Sequence, residues 1–214
     1  MAEIFLFDLD GTLTESGTGI VNSVAYALEH FKIPVSDEKK ELYRFVGPSL
    51  KDAFSGYYGF DEKQTMEAIR VYREYYTRQG MFENRVYDGL EEVLKKINEA
   101  GKQAIVATSK PEKYAKIIID HFHLTQYFAC VAGMEMDGGR GTKAQVITYA
   151  LEKNDITDKS NVLMIGDREH DVIGAHENGL DCLGILYGFG SRKEFEEAGA
   201  DYIRENVEEI LQFV

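Results

Sequence analysis

Two aspartates two residues apart, Asp8 and Asp10, follow the apolar run IFLF and lead into Gly11-Thr12. Residues two apart in an extended chain project to the same side, so both carboxylates can face one site. Thr108-Ser109-Lys110 follows the run QAIVA, and Gly166-Asp167 follows NVLMI, with Asp171 four residues later. Lys143 follows the glycine-rich DGGRGT. Taken alone, the first pair fits either a polar strand end entering an Asp-Gly turn or a catalytic carboxylate pair. Four carboxylates gathered at one edge would repel unless a cation neutralised them, and oxygen-only ligands favour a hard ion, Mg2+ first. A hydroxyl at Thr108 and an ammonium at Lys143 suit an anion such as a phosphoryl group. That combination fits phosphoryl transfer, where positioning and charge neutralisation do most of the work. One carboxylate can attack phosphorus while the other protonates the leaving oxygen and then activates water. The two roles need different protonation states, which neighbouring like charges encourage.

These residues reach one site only if the chain brings the apolar runs side by side. IFLF (4–7), QAIVAT (103–108), YFACVAG (127–133), NVLMIGD (161–167) and CLGILYG (182–188) are nearly continuous in apolar residues, as strands covered on both faces require; DYI (201–203) adds an edge. Helical patterns separate them. Leu90, Val93, Leu94 and Ile97 form one stripe, with Asp88 and Glu91 as its capping box and Gly101 as its stop. Pro111 suits the first turn of another helix, and Thr142–Leu151 and Glu169–Asn178 read as two more. EEAGADYIRENVEEI reads as a charged, solvated helical surface. The alternation predicts an α/β fold: a Rossmann-like, doubly wound parallel sheet, which binds ligands beyond the carboxyl ends of its strands.

Residues 15 to about 83 break the alternation. They hold helical stripes, Val21, Val24, Leu28 and Phe31 and then Met66, Ile69, Tyr72 and Tyr76, the second opened by an Asp61–Gln64 capping box. A segment this long is not a plain loop. The expected organisation is a core of 1–14 and 84–214 with an all-helical cap, 15–83, inserted after the first strand. Gly17, Gly19 and the Gly80–Asn84 region mark its expected hinges.

A formal net charge of −13 with no basic run argues against a nucleic-acid polymer or an anionic membrane as partner. Cys130 and Cys182 sit in apolar runs without a CxxC pattern, as buried free thiols in a reducing compartment do. MAEIFLFDLD turns acidic too early for a signal peptide, and no apolar stretch approaches the length that spans a bilayer. A soluble, cytoplasmic protein is expected.

DLDGT (8–12), TSK (108–110), Lys143 and GDREHD (166–171), in this order and at strand ends, resemble the four motifs of the haloacid dehalogenase superfamily. The resemblance covers essentially the whole chain, and the helical insertion is similar to that superfamily's α-helical cap. It implies Asp8 as nucleophile, forming an aspartyl-phosphate, and Asp10 as general acid and base. Thr108, with the backbone at Leu9 and Ser109, would bind the transferring phosphoryl, and Lys143 would hold nucleophile and phosphate together. Asp8, Asp10 through its carbonyl, and Asp167 would ligate Mg2+, supported by Asp171. Family dehalogenases lack an acid at the position of Asp10, and the DKTG signature of ion-pumping ATPases is missing. TSKPE, GDREHDVIGA and GILYGFGSRKEFEEAGAD resemble the phosphoglycolate phosphatase and 5′-nucleotidase-like group. The implied activity is Mg2+-dependent hydrolysis of a small phosphorylated metabolite, phosphoglycolate or a nucleoside 5′-monophosphate. FVGPSL (45–50) is similar to that group's substrate-facing loop and places Arg44, Ser49 and Lys51 as candidates for the substrate's far end. Rival readings are a pyrophosphatase, a sugar-phosphate mutase or, from another class, a non-catalytic phospho-sensor. A sensor must preserve its aspartyl-phosphate, whereas Asp10 would hydrolyse it.

Overall fold

A computed structural model describes residues 1–136 and 139–214. Asp137 and Gly138 of the DGGRGT stretch lie outside the described residues. In chain order, β1 (Ile4–Phe7) is followed by α1 (Gly17–His30), α2 (Leu50–Tyr58) and α3 (Glu62–Arg78). Then come α4 (Leu90–Glu99), β2 (Gln103–Pro111), α5 (Glu112–His121), β3 (Cys130–Met134), α6 (Lys143–Lys153) and β4 (Val162–Gly166). The chain continues through α7 (Glu169–Glu177), β5 (Asp181–Ile185), α8 (Arg192–Ala198) and β6 (Tyr202–Arg204) to a 3₁₀ turn at Val207–Phe213. It divides into two compact units, Met1–Thr14 with Val86–Val214, and Glu15–Arg85.

The first unit is the expected α/β fold. Its six strands run in the order β3-β2-β1-β4-β5-β6, and every neighbouring pair is parallel. Phe5, Leu6 and Phe7 are fully buried, and Leu6, Ile105, Val146, Met164 and Val172 share one core cluster. Enclosure on both faces is why these strands read as unbroken apolar runs. β1 pairs with β2 on one side and β4 on the other, with Phe7 opposite both Val106 and Ile165. The connections therefore leave in opposite directions beside β1, and a crevice opens beyond its carboxyl end.

The second unit is all-helical among its described residues. Asp61 accepts the Gln64 N–H at 2.8 Å while Gln64 returns to the Asp61 N–H at 3.1 Å, completing the expected capping box. Phe45, Phe54 and Phe60 form its aromatic centre, with ring centroids 5.0 and 6.0 Å apart. Tyr72 and Tyr76 are buried, but Met66 of the same stripe is exposed. Gly19 and Gly80 pack closely on each other: a Cβ on Gly19 would lie 1.8 Å from the Gly80 carbonyl oxygen.

Three local expectations shift. α4 starts from Gly89, whose φ of 82° breaks the chain at the helix start, and no side chain caps it, so Asp88 and Glu91 make no capping box. Pro111 ends β2, and α5 begins at Glu112. The DYI run forms the edge strand expected of it, β6, so the charged segment EEAGADYIRENVEEI is not one helical surface: Gly199 (φ 80°) stops α8, and a 3₁₀ turn follows β6. Cys182 is buried and Cys130 partly so; both are free thiols. Among the described residues no helix is long and apolar enough to cross a membrane.

Candidate active site

The strand ends at the β1 crevice carry the acidic residues. The Asp8 N–H donates to the Ile165 carbonyl at 2.9 Å, continuing the β1–β4 ladder by one residue and fixing where the side chain leaves the sheet. The chain then turns sharply: the Leu9 carbonyl accepts from Thr12, Leu13 and Thr14, and Gly11 stands at φ 83°. A Cβ on Gly11 would come within 2.1 Å of Asp167 Oδ2, so this turn needs glycine for its conformation and for its neighbour.

Asp8, Asp167 and Asp171 are all buried, with one carboxylate oxygen from each lying within 4.8 Å of the others. Lys143, at the start of α6 behind the Thr142–Gln145 capping box, reaches into this group. Its Nζ lies 2.6 Å from Asp8 Oδ1, 2.6 Å from Asp171 Oδ1 and 2.9 Å from the Ala107 carbonyl. Asp171 Oδ2 meanwhile accepts the Arg168 N–H at 3.1 Å. Asp171 thus caps α7 and braces Lys143 at once, combining the helix-end and site roles that its position allowed. Asp167 Oδ2 accepts the Phe189 N–H at 2.9 Å.

Three carboxylates and one ammonium leave a formal excess of two negative charges in a buried space. Burial, then the Asp171 charge and the approach of Asp10, push the Asp8 carboxyl up to about 6 against the pull of Lys143. Burial, followed by the charges of Asp171 and Asp8, raises Asp167 well above the usual carboxylate range. Burial works against the Lys143 charge, yet Asp171 and Asp8 together outweigh it and hold its ammonium above its ordinary range. One lysine shared by two anions is strongly held, while the anions stay undercompensated. This donor set fits one divalent hard cation, which would cancel that excess.

Asp10 stands apart from the trio. Its Oδ2 pairs with Lys110 Nζ at 2.6 Å, while its Oδ1 is buried with no hydrogen-bond partner among the described residues. Thr108 is buried, and its Oγ1 accepts the Lys110 N–H at 3.1 Å, which leaves the hydroxyl proton to donate elsewhere. Leu9 is fully buried beneath the turn, and Ser109 is half-buried at the end of β2. Arg44 and Ser49 belong to the helical unit. There the Arg44 guanidinium lies 4.4 Å over the Tyr57 ring, and Ser49 caps α2 by accepting the Asp52 N–H at 3.2 Å. Lys110 and the Phe189 N–H are the contacts that motif reading left without a role. The signal for Lys110 was its spacing two residues after Thr108; for Phe189 it was the Gly188-Phe189-Gly190 triplet.

Residues 5–185 match the model of the family described as haloacid dehalogenase-like hydrolase. A 5′-nucleotidase from Pseudomonas aeruginosa is 43% identical over 88% of this chain and 85% of its own length. The tyrosine-protein kinase PtkA of Mycobacterium tuberculosis is 38% identical over 88% of this chain, which spans 63% of that protein. The crystal structure of a predicted phosphatase from Clostridium acetobutylicum superposes with a TM-score of 0.95 at 48% identity, covering 99% of this chain and 97% of that one.

Proposed function

From the premise that this chain belongs to the haloacid dehalogenase-like hydrolase family, we propose that it is a Mg2+-dependent phosphatase working through an aspartyl-phosphate on Asp8. The observation that carries this reading is Lys143 Nζ at 2.6 Å from both Asp8 and Asp171, with Asp167 alongside. Asp8 Oδ attacks phosphorus and the ester P–O bond breaks; Asp10 gives its proton to the departing oxygen. Asp10 then takes a proton from water, which attacks phosphorus, releasing inorganic phosphate and restoring the Asp8 carboxylate. Lys143 holds Asp8 in place and offsets phosphoryl charge, and the Thr108 hydroxyl donates to a phosphoryl oxygen. Asp8 and Asp167, with Asp171 beside them and the Asp10 carbonyl, would hold Mg2+. When bound, the ion supplies positive charge against the phosphoryl oxygens.

The 43% identical relative named 5′-nucleotidase supports a nucleoside 5′-monophosphate as first substrate class, with phosphoglycolate second. The kinase name of the mycobacterial relative favours one rival, in which the aspartyl-phosphate passes to another acceptor, as it would in a mutase. Phosphate release from nucleoside 5′-monophosphates, phosphoglycolate and pyrophosphate, with Mg2+ or with EDTA, tests the reading. Mg2+-dependent free phosphate that Asp8→Asn abolishes supports it. Phosphate recovered only on an added acceptor, or full turnover by Asp8→Asn, overturns it.

A further inference from the structure

Lys110 is a lysine whose side chain is only 7% exposed, and it faces Asp10, itself 14% exposed. Its position depends on an irregularity in β2. Thr108 pairs with Gly133 on β3, yet the next pair joins Pro111 to Met134, so Ser109 and Lys110 are extra residues without counterparts in the ladder. Such bulges bend a strand and re-aim its side chains. Gly133 makes this one possible: a Cβ there would lie 2.6 Å from the Lys110 carbonyl oxygen and 2.7 Å from Glu112 Cα. The Lys110 N–H is also fixed, donating to Thr108 Oγ1 at 3.1 Å, and its Nζ reaches Asp10 Oδ2 at 2.6 Å.

A buried ion pair is a poor device for stability, because desolvating both charges cancels much of their attraction. It is a good device for fixing orientation. The Asp10 carboxylate leaves its backbone beyond the sheet, and Lys110 ties down one of its two oxygens. The other, Oδ1, is buried without a hydrogen-bond partner among the described residues, an arrangement that is costly unless something else uses it.

We propose that Lys110 is a positioning residue for Asp10: by holding Oδ2 it fixes the orientation of the carboxyl group that serves the leaving oxygen and then water. The assignment rests on the phosphatase reading above. It also makes the β2 bulge a single part that sets the Thr108 hydroxyl and the Asp10 carboxylate relative to each other. Lys110 itself exchanges no proton and forms no bond to phosphorus.

The test is a mutant cycle on the full chain, begun only after wild-type turnover has been measured with p-nitrophenyl phosphate and a nucleoside 5′-monophosphate. Lys110→Met should lower kcat at least about 10-fold with KM within about threefold, the pattern of an interaction realised only in the transition state. Lys110→Arg, which keeps the charge, should recover part of that loss. In the Asp10→Asn background the p-nitrophenolate burst should be the same, within about twofold, with Lys or Met at position 110. A melting curve accompanies each variant, and Lys110→Gln replaces Lys110→Met if the latter does not fold. A rise in KM with kcat intact would make Lys110 a substrate contact and overturn the assignment. The same loss persisting in Asp10→Asn would make it structural, and no loss at all would end the idea. A wild-type protein that turns over no phosphate ester would overturn the phosphatase reading, and this assignment with it.

Discussion

Asp8→Asn should stabilise the metal-free protein at neutral pH while removing the group proposed to attack phosphorus. The Asp8 carboxyl rises from its ordinary 3.8 to about 6 in the folded chain, chiefly through burial. The folded state therefore binds this proton more tightly than the unfolded state does. The favourable contribution is complete below about pH 4 and is lost as pH rises through about 6. At about 1.4 kcal/mol for each tenfold change, the ionised form costs the metal-free fold about 3 kcal/mol above that range. Asparagine has the same shape and no charge, so it escapes the cost, and Lys143 keeps Asp171 as its partner at 2.6 Å. For a chain of this size, 1 kcal/mol moves Tm by about 2–4 °C, which places Asp8→Asn about 6–12 °C above wild type near pH 8 in EDTA. The difference should shrink to nothing near pH 4. Saturating Mg2+ should close it from the other side, since a ligand at about 100 times its Kd adds about 2.7 kcal/mol to wild type. Thermal melts of both proteins across this pH range, in EDTA and in Mg2+, read all of these at once. A variant less stable than wild type in EDTA near pH 8, or a difference that ignores pH, would refute the undercompensated-carboxylate argument.

Three further outcomes follow from the same geometry. Asp167→Asn should abolish the Mg2+-induced rise in Tm, because it takes one of the three clustered carboxylates away; calorimetric titration with Mg2+ checks it directly. Gly11→Ala should destabilise the fold by at least about 1–2 kcal/mol for its left-handed backbone alone, since φ there is 83°. It should also weaken Mg2+ binding, because the new Cβ would fall 2.1 Å from Asp167 Oδ2; denaturant melts with and without Mg2+ separate the two effects. Asp10→Asn should slow steady-state release from an alkyl phosphate by about 10²–10⁴-fold, the usual worth of general acid–base catalysis, and stopped-flow turnover measures it.

Much of this architecture was legible because each feature was written locally. The strands are buried on both faces, so Phe5, Leu6 and Phe7 had to be apolar without interruption, and the polar residues that follow them mark the crevice. A parallel sheet with β1 between β2 and β4 then brings Asp8, Thr108 and Asp167 to one edge. What escaped depended on contacts distant in sequence or on backbone detail. The Lys110–Asp10 pair joins residues a hundred positions apart through a bulge that no periodicity announces. Asp88 and Glu91 had the spacing of a capping box, but Gly89 enters the left-handed region first and starts α4 without them. The close approach of the Gly19 and Gly80 backbones, which their missing side chains allow, joins positions sixty residues apart that no local pattern links. Gly199 ended a helix that its charged neighbours would have continued.

The central claim is that Asp8 carries the phosphoryl group between its two transfers. The most direct test mixes the Asp10→Asn variant with an aryl phosphate and Mg2+, quenches in acid within the first turnover, and locates the added phosphate by peptide mass mapping. The account predicts phosphate on Asp8, in the segment 4–13 (IFLFDLDGTL in the wild type), which disappears in the Asp8→Asn/Asp10→Asn double variant. Phosphate on another residue, or phenol released in a burst with Asp8 unmodified, would contradict it.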